Sequence, residues 1–320
     1  MNTLIPSRAS MRLRRRWQHR RAWLAATWRR VRDGWRVFRQ NRLAVLGVAL
    51  IVVFGLMAVA HPLLIGTVWP RTIYDPEVGF DYDVPPPAPI SLRHVLGTDA
   101  LGRDILSMLL AGATSAFVVG MTAAVSTAVV GTAISAVSAY YRGLVDADFT
   151  HVADALLLLP APLFMVILGA QFDIGPFAFG LLYGVIAGAS SAAIVLRSHA
   201  LTLMSKAYVE ASRVAGAGAG DIILHHLVPQ LIPLAVMHML LAVTGAVIAD
   251  GFLSFMGLLK ERLNWGYMMN LAFEYAALLG QQVQWNQIVP PSVALSTFAA
   301  AFYLVARGVH EVVDPRLRRK

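Results

Sequence analysis

Long apolar runs separated by short polar breaks set the pattern of this chain. Six runs are candidates for membrane helices, at about 43–60, 106–139, 152–172, 178–196, 231–258 and 288–306. Roughly 20 helical residues cross about 30 Å of hydrocarbon. The second and fifth runs are long enough to tilt or to extend beyond the lipid. None alternates with period two, so a barrel of strands is not expected. The pattern predicts an all-α polytopic membrane protein with six transmembrane helices. Pro160 and Pro162 are expected to kink the third span.

Ahead of the first run, Leu13, Trp17, Leu24, Trp28, Val31, Trp35 and Phe38 recur at intervals of three, four or seven, on one stripe of a helix. Arginine fills the other faces. Such a stripe fits a helix lying in an anionic membrane leaflet, and equally a solvated tail that enforces topology. The 42-residue basic region is far longer than that of a signal peptide, so the first run is expected to remain as a span.

Composition agrees with the pattern. Hydrophobic residues make up 57% of the 320, and charged residues only 14%, against about 25% in soluble domains. There is no cysteine, which excludes disulfides. The net charge of +9 is concentrated at one end: residues 1–42 carry 13 Arg and one Asp, and the remainder is net −3. With the N-terminus inside, 22 Lys and Arg fall on the cytoplasmic side and five outside. The positive-inside rule therefore places both termini in the cytoplasm. The organisation expected is a cytoplasmic Arg/Trp-rich tail (1–42), a first span (43–60), an extracytoplasmic segment (61–104), a five-helix core (105–308) with a cytoplasmic loop (198–229), and a cytoplasmic C-terminal tail (309–320). Nucleic acid is not expected as a partner, because membrane proximity accounts for the arginines; membrane lipids are.

Within that loop, YVEASRVAGAGAGDIILHHLVP (208–229) breaks the apolar pattern with small residues and glycines. Ser205 is expected to cap a short helix through Tyr208, Ala211 and Val214, which Gly216 ends. Ala207, Ala211 and Ala215 share one face, where another surface can approach the backbone closely. Glu210 and Arg213 can pair across one turn, worth a few tenths of a kcal/mol. Asp221 is expected to cap a second helix leading to Pro229. A short rigid helix of this kind suits docking into a groove of a partner; otherwise it is an ordinary loop.

Two further segments carry candidate chemistry. In LGTDALGRD (96–104), Thr98 or Asp99 can cap a helix starting at Ala100, and Arg103 and Asp104 can form ion pairs at the outer surface. The same residues, Asp99, Arg103 and Asp104, can instead form an external gate or contact a binding protein. Asp154 and Asp250 fall inside predicted spans, where an ionisable group costs at least a few kcal/mol and should face the bundle interior or a water-filled path. Each reads as a paired structural carboxylate or as pathway lining.

LGTDALGRD before the second span and EASRVAG (210–216) with LVP (227–229) before the fifth together resemble the permease subunit of a dipeptide/oligopeptide/nickel-type ABC importer. FRQNRLAVLG (38–47), GLVDADFTHVADALLLLP (143–160), LSFMGL (253–258), NWG (264–266) and VVDPRLR (312–318) agree, so the resemblance covers about residues 36–320. Ser212, Val228, the glycine-rich AGAGAG (215–220), Asp250 and LKERL (259–263) depart from the family's pattern. The resemblance implies a type I importer permease fold in the bacterial inner membrane. It implies a coupling helix, carrying Tyr208, Glu210, Ala211, Ser212, Arg213, Gly216 and Pro229, that inserts into an ATP-hydrolysing subunit. The implied partners are a homologous second permease, two ATPase subunits and an extracytoplasmic solute-binding protein. Peptides are the leading cargo, with nickel and other small solutes open.

The residues themselves are consistent with a separate motor. The three lysines are Lys206, Lys260 and Lys320, and no GxxxxGK[ST] phosphate loop exists. ATP and magnesium are therefore expected in partner chains, with no cofactor here. His225 and His226 point to different helix faces, and His94 and His151 stand apart, so no metal site and no catalytic constellation is expected. The competing readings are an ATP-independent carrier or channel, and a membrane-anchored scaffold.

Overall fold

Asn41 starts the first membrane helix. Its side chain accepts from the amides of Leu43 and Ala44 at 3.0 and 3.1 Å, satisfying donors that a helix start leaves unpaired. A lead-in turn, α1 (35–40), precedes it, and the helix, α2, runs Arg42–Thr67. This computed structural model describes residues 35–158, 160–260, 262–280 and 282–313. Most of the Trp/Leu stripe and the end of VVDPRLR lie outside the described residues. Of the stripe, Trp35 and Phe38 stack at 5.6 Å, and Phe38 is buried.

After α2 come a short α3 (Arg71–Tyr74) and a non-helical cap, then α4 (Ile105–Tyr141). Next are α5 (Gly143–Leu158) and α6 (Ala161–Gln171). Helix α7 (Pro176–Ala187) runs through a π turn (Gly188–Ala192) into α8 (Ala193–Met204). Helix α9 (Ala207–Val214) stands alone. Then α10 (Ala219–Asp221) leads by a second π turn (Ile222–Leu227) into α11 (Val228–Phe255), followed by α12 (Trp265–Leu279) and α13 (Trp285–Val313). Among the described residues there is no strand, only an isolated antiparallel bridge between Thr98 and Asp104.

Five helical runs are long and apolar enough to cross a membrane: α2, α4, α7–α8, α10–α11 and α13. The sixth is the pair α5 and α6, bent by 78°. The sequence predicts a kink there, and the structure has a break. Pro160 sits in extended geometry at the start of α6, with ψ 130°. A proline ring clashes with the preceding turn and offers no N–H, so it starts a helix better than it continues one. Helix α12, at 15 residues, is too short to span.

The second span starts at Ile105, within a residue of the apolar run, and not at Ala100, where a cap at Thr98 or Asp99 would have begun it. Residues 98–104 close into a tight loop instead. The Asp99 carboxylate accepts from the amides of Leu101 and Arg103 at 3.0 and 2.8 Å, and Gly102 takes a φ of +84°. Asp104, not Thr98 or Asp99, caps α4, accepting from the Ser107 amide at 2.7 Å.

Small residues draw the bundle together. Gly180, Gly184 and Gly188 lie four apart on one face of the α7 run, against α4. A Cβ at Gly180 would stand 2.2 Å from the Val119 carbonyl, and one at Gly184 would stand 2.4 Å from that of Ala123. The close approach lets Thr127 Oγ1 donate to the Gly184 carbonyl (3.0 Å) and Ser135 Oγ to that of Ala193 (2.9 Å). This is the small-xxx-small packing of membrane helices. Helices α4 and α7–α8 run parallel, so residues 205–230 lie at the end of the bundle opposite the 68–104 cap. On the cap side, Phe54, Phe117, Trp265 and Phe298 form the aromatic centre of the core.

Candidate functional site

The segment predicted to dock is helical where expected but is started differently. Helix α9 begins after Lys206, and Ser205 instead closes α8, donating to the Thr202 carbonyl at 2.9 Å. Lys206, in extended geometry, starts α9 without a side-chain cap. Gly216 ends it with a φ of +88°, a conformation glycine adopts freely. Asp221 lies inside the next helical run and pairs with His225 Nδ1 at 3.0 Å; Gly218 takes the cap position.

Val209 anchors α9. It is fully buried against the cluster of Leu203, Met204, Ile222 and Leu227. Ala207, Ala211 and Ala215 are exposed, as are Glu210, Arg213, Gly216 and Pro229. Glu210 and Arg213 pair at 3.3 Å. Tyr208 and Ser212 are held from the other side: Tyr208 Oη accepts from Gln230 (2.6 Å), and Ser212 Oγ meets His226 Nε2 (3.2 Å). A short helix thus presents small and charged residues outward over one apolar anchor.

At the opposite end the structure corrects the surface reading of Arg103 and Asp104. Neither faces the solvent. Arg103 donates through Nε and Nη2 to Asp99, at 2.8 and 2.6 Å, and its residue exposure is 7%. Asp104 pairs with His94 rather than with Arg103: His94 Nδ1 is 2.9 Å from Asp104 and Nε2 is 3.1 Å from Asp81. The ring is 1% exposed. Burial raises the Asp104 carboxyl above its ordinary value, although His94 and the Ser107 amide pull it down. Burial also pushes Asp81 up, but the Asp83 amide, His94 and Arg93 outweigh it and leave it lowered. Asn286 ties this cap to α13 by donating to the Leu96 carbonyl at 2.7 Å. The cap has a polar interior, and LGTDALGRD builds it.

Asp250 is buried in α11 and ion-paired with Arg262 of the following loop. Asn264 donates to both Asp250 (2.8 Å) and Ser254 (2.8 Å). Arg262 also donates to the Ile174 carbonyl at 2.5 Å and lies over the Phe179 ring at 5.0 Å. One side chain therefore clasps α11, α7 and the loop before α7. Asp154 is exposed on α5. Among the described residues, no group of three His, Asp or Glu side chains is placed to share a metal ion.

Comparison with known proteins fits this arrangement. Residues 131–319, more than half of the chain, match the family described as binding-protein-dependent transport system inner membrane component. The chain belongs to this family. It is the inner-membrane, multi-pass permease component of an ABC importer. Residues 28–86 also match the N-terminal transmembrane domain of oligopeptide transport permease C.

Relatives of this permease include the dipeptide transport system permease protein DppC of Bacillus subtilis, 29% identical over 90% of this chain and 86% of that one. A putative peptide transport system permease of Brucella suis is 32% identical over 72% and 76%. The glutathione transport system permease protein GsiD of Escherichia coli is 28% identical over 89% and 90%. The sequence singled out α9 and the acidic residues of the permease, but it missed their partners. His94, Asp81, Arg262, His226 and Gln230 lie from 10 to 22 positions away from the residues they bind. No helical or strand periodicity links such pairs; an isolated His beside a candidate carboxylate was the signal available.

Proposed function

We propose that this permease forms half of a translocation pathway for di- or oligopeptides and is driven by separate ATPase subunits that grip helix α9. The single observation carrying the docking role is the geometry of α9: one buried anchor, Val209, beneath an exposed face of Ala207, Ala211 and Ala215. Small side chains let a groove close on the backbone, and the short helix is rigid enough to transmit force. The peptide cargo rests on the names of the relatives, which include dipeptide, oligopeptide and glutathione permeases.

The remaining partners follow from the same reading. A homologous second permease completes the pathway, an extracytoplasmic solute-binding protein delivers the solute, and ATP and magnesium reside in the ATPase pair. The charge asymmetry supports cytoplasmic termini, with α9 on the cytoplasmic side. An apolar groove of about 520 Å³ between α4 and the start of α11, lined by Val129, Thr132, Leu224 and Ile232, supports burial against a second membrane chain. ATP closing the motor would shift α9 and bias the spans between inward-open and outward-open states.

The test is to purify the transporter through this chain. Stoichiometric ATPase subunits are expected. Ala211→Trp fills the face the groove needs, and Gly216→Pro forbids the φ of +88°; both should insert normally yet lose ATPase association and uptake. Normal uptake in both variants, or ATP-independent transport by the chain alone in liposomes, would refute the docking role.

A further inference from the structure

Among the described side chains, the polar links from α9 to other elements all run forward, to the root of α11. Tyr208 Oη accepts from Gln230 Nε2 at 2.6 Å, and the same nitrogen donates to the His226 carbonyl at 3.1 Å. Ser212 Oγ lies 3.0 Å from the Tyr208 carbonyl and 3.2 Å from His226 Nε2. A carbonyl only accepts, so the Ser212 hydrogen points to Tyr208 and its oxygen accepts from His226 Nε2–H. Toward α8 no side-chain hydrogen bond runs from α9: there are the connecting turn, with the Lys206 amide bonded to the Leu203 carbonyl at 3.1 Å, and the apolar packing of Val209 against Leu203 and Met204, which has no preferred direction. Ser205, expected to cap α9, instead bonds back to the Thr202 carbonyl of α8.

Two attachments one turn apart fix more than one does. Tyr208 and Ser212 are four residues apart, about 6 Å along the helix. A single bond would leave α9 free to pivot about it; two fix both its position and its tilt against the π turn (Ile222–Leu227) and the first turn of α11. The Tyr208 and His226 rings, 6.0 Å apart, fill the space between the straps.

We propose that His226 and Gln230 are positioning residues that hold Ser212 and Tyr208, so that displacement of the docking helix is delivered to the fifth span rather than the fourth. This rests on the docking reading of α9. His226 and Gln230 add direction to a helix otherwise held by its turn and by the apolar anchor Val209.

The test uses the complete transporter, reconstituted with its ATPase subunits and binding protein, and reads uptake per ATP hydrolysed. In a His226→Leu/Gln230→Leu variant, ATPase subunits should co-purify as in the wild type and basal hydrolysis should be retained. Uptake per ATP should fall about tenfold, within the usual range for coupling between sites. His226→Gln keeps an N–H donor of similar reach and should recover most of the ratio, whereas His226→Leu should not. A wild-type ratio in the double variant overturns the proposal. So does loss of ATPase subunits in step with uptake, because the straps would then only be folding α9. Equal behaviour of His226→Gln and His226→Leu overturns it too. The docking reading fails separately, if Ala211→Trp keeps both its ATPase subunits and its uptake.

Discussion

His94 holds two carboxylates whose proton affinities are displaced in opposite directions. Asp104, raised above the ordinary 3.8, binds its proton more tightly folded than unfolded. Its contribution to stability is full below that value and is lost as pH climbs through the folded pKa. Asp81 is lowered, so its contribution is present above 3.8 and is lost as pH falls through its folded value. At neutral pH the cap therefore carries one carboxylate that favours the fold and one that opposes it. Asp104→Asn retains the cap of α4 and removes the opposing charge. It should hold or raise the unfolding midpoint at neutral pH and flatten its decline above about pH 4. Asp81→Asn should lower the midpoint at neutral pH and remove the acid-side loss. Thermal unfolding of the purified complex across pH reads both.

At the scale of elements, the Arg262 clasp joins parts far apart in sequence. It couples Asp250 of α11 to the Ile174 carbonyl and the Phe179 ring of α7. Removing one partner of a buried pair leaves a charge without compensation, at about 3–5 kcal/mol. Arg262→Leu should lower the thermal midpoint in detergent strongly, and adding Asp250→Leu should restore much of the loss, because apolar replacement of both partners is often neutral. The six spans, the glycine stop at Gly216 and the Glu210–Arg213 pair were legible in the sequence, because each follows from periodicity or from local backbone chemistry. The capping residue of α4 was not. Thr98, Asp99 and Asp104 are all good capping residues, and the choice among them fell to Gly102 and the Asp99–Arg103 pair, which close a loop before the helix begins. Ser205 and Asp221 misled in the same way: each has the right chemistry for a cap, and each side chain is committed elsewhere. The partners of Asp250 and Asp104 were illegible because burial and long-range pairing decide them.

For the whole molecule, Gly180, Gly184 and Gly188 determine what can move. Gly184→Ala places a methyl 2.4 Å from the Ala123 carbonyl and 2.0 Å from Ser126 Oγ. Overpacking of this kind costs about 1–3 kcal/mol, and the neighbour here is backbone, which gives way reluctantly. The variant should melt several degrees lower in detergent and lose uptake, while Gly55→Ala, where a Cβ meets nothing, should do neither. The glycine seam leaves no clearance for α4 and α7 to slide or roll past each other. Helix α4 and the α7–α8 run are in effect one beam, bolted at Thr127 and Ser135. Any alternation of access must then carry that beam as one piece, and leave the movement to the elements packed around it.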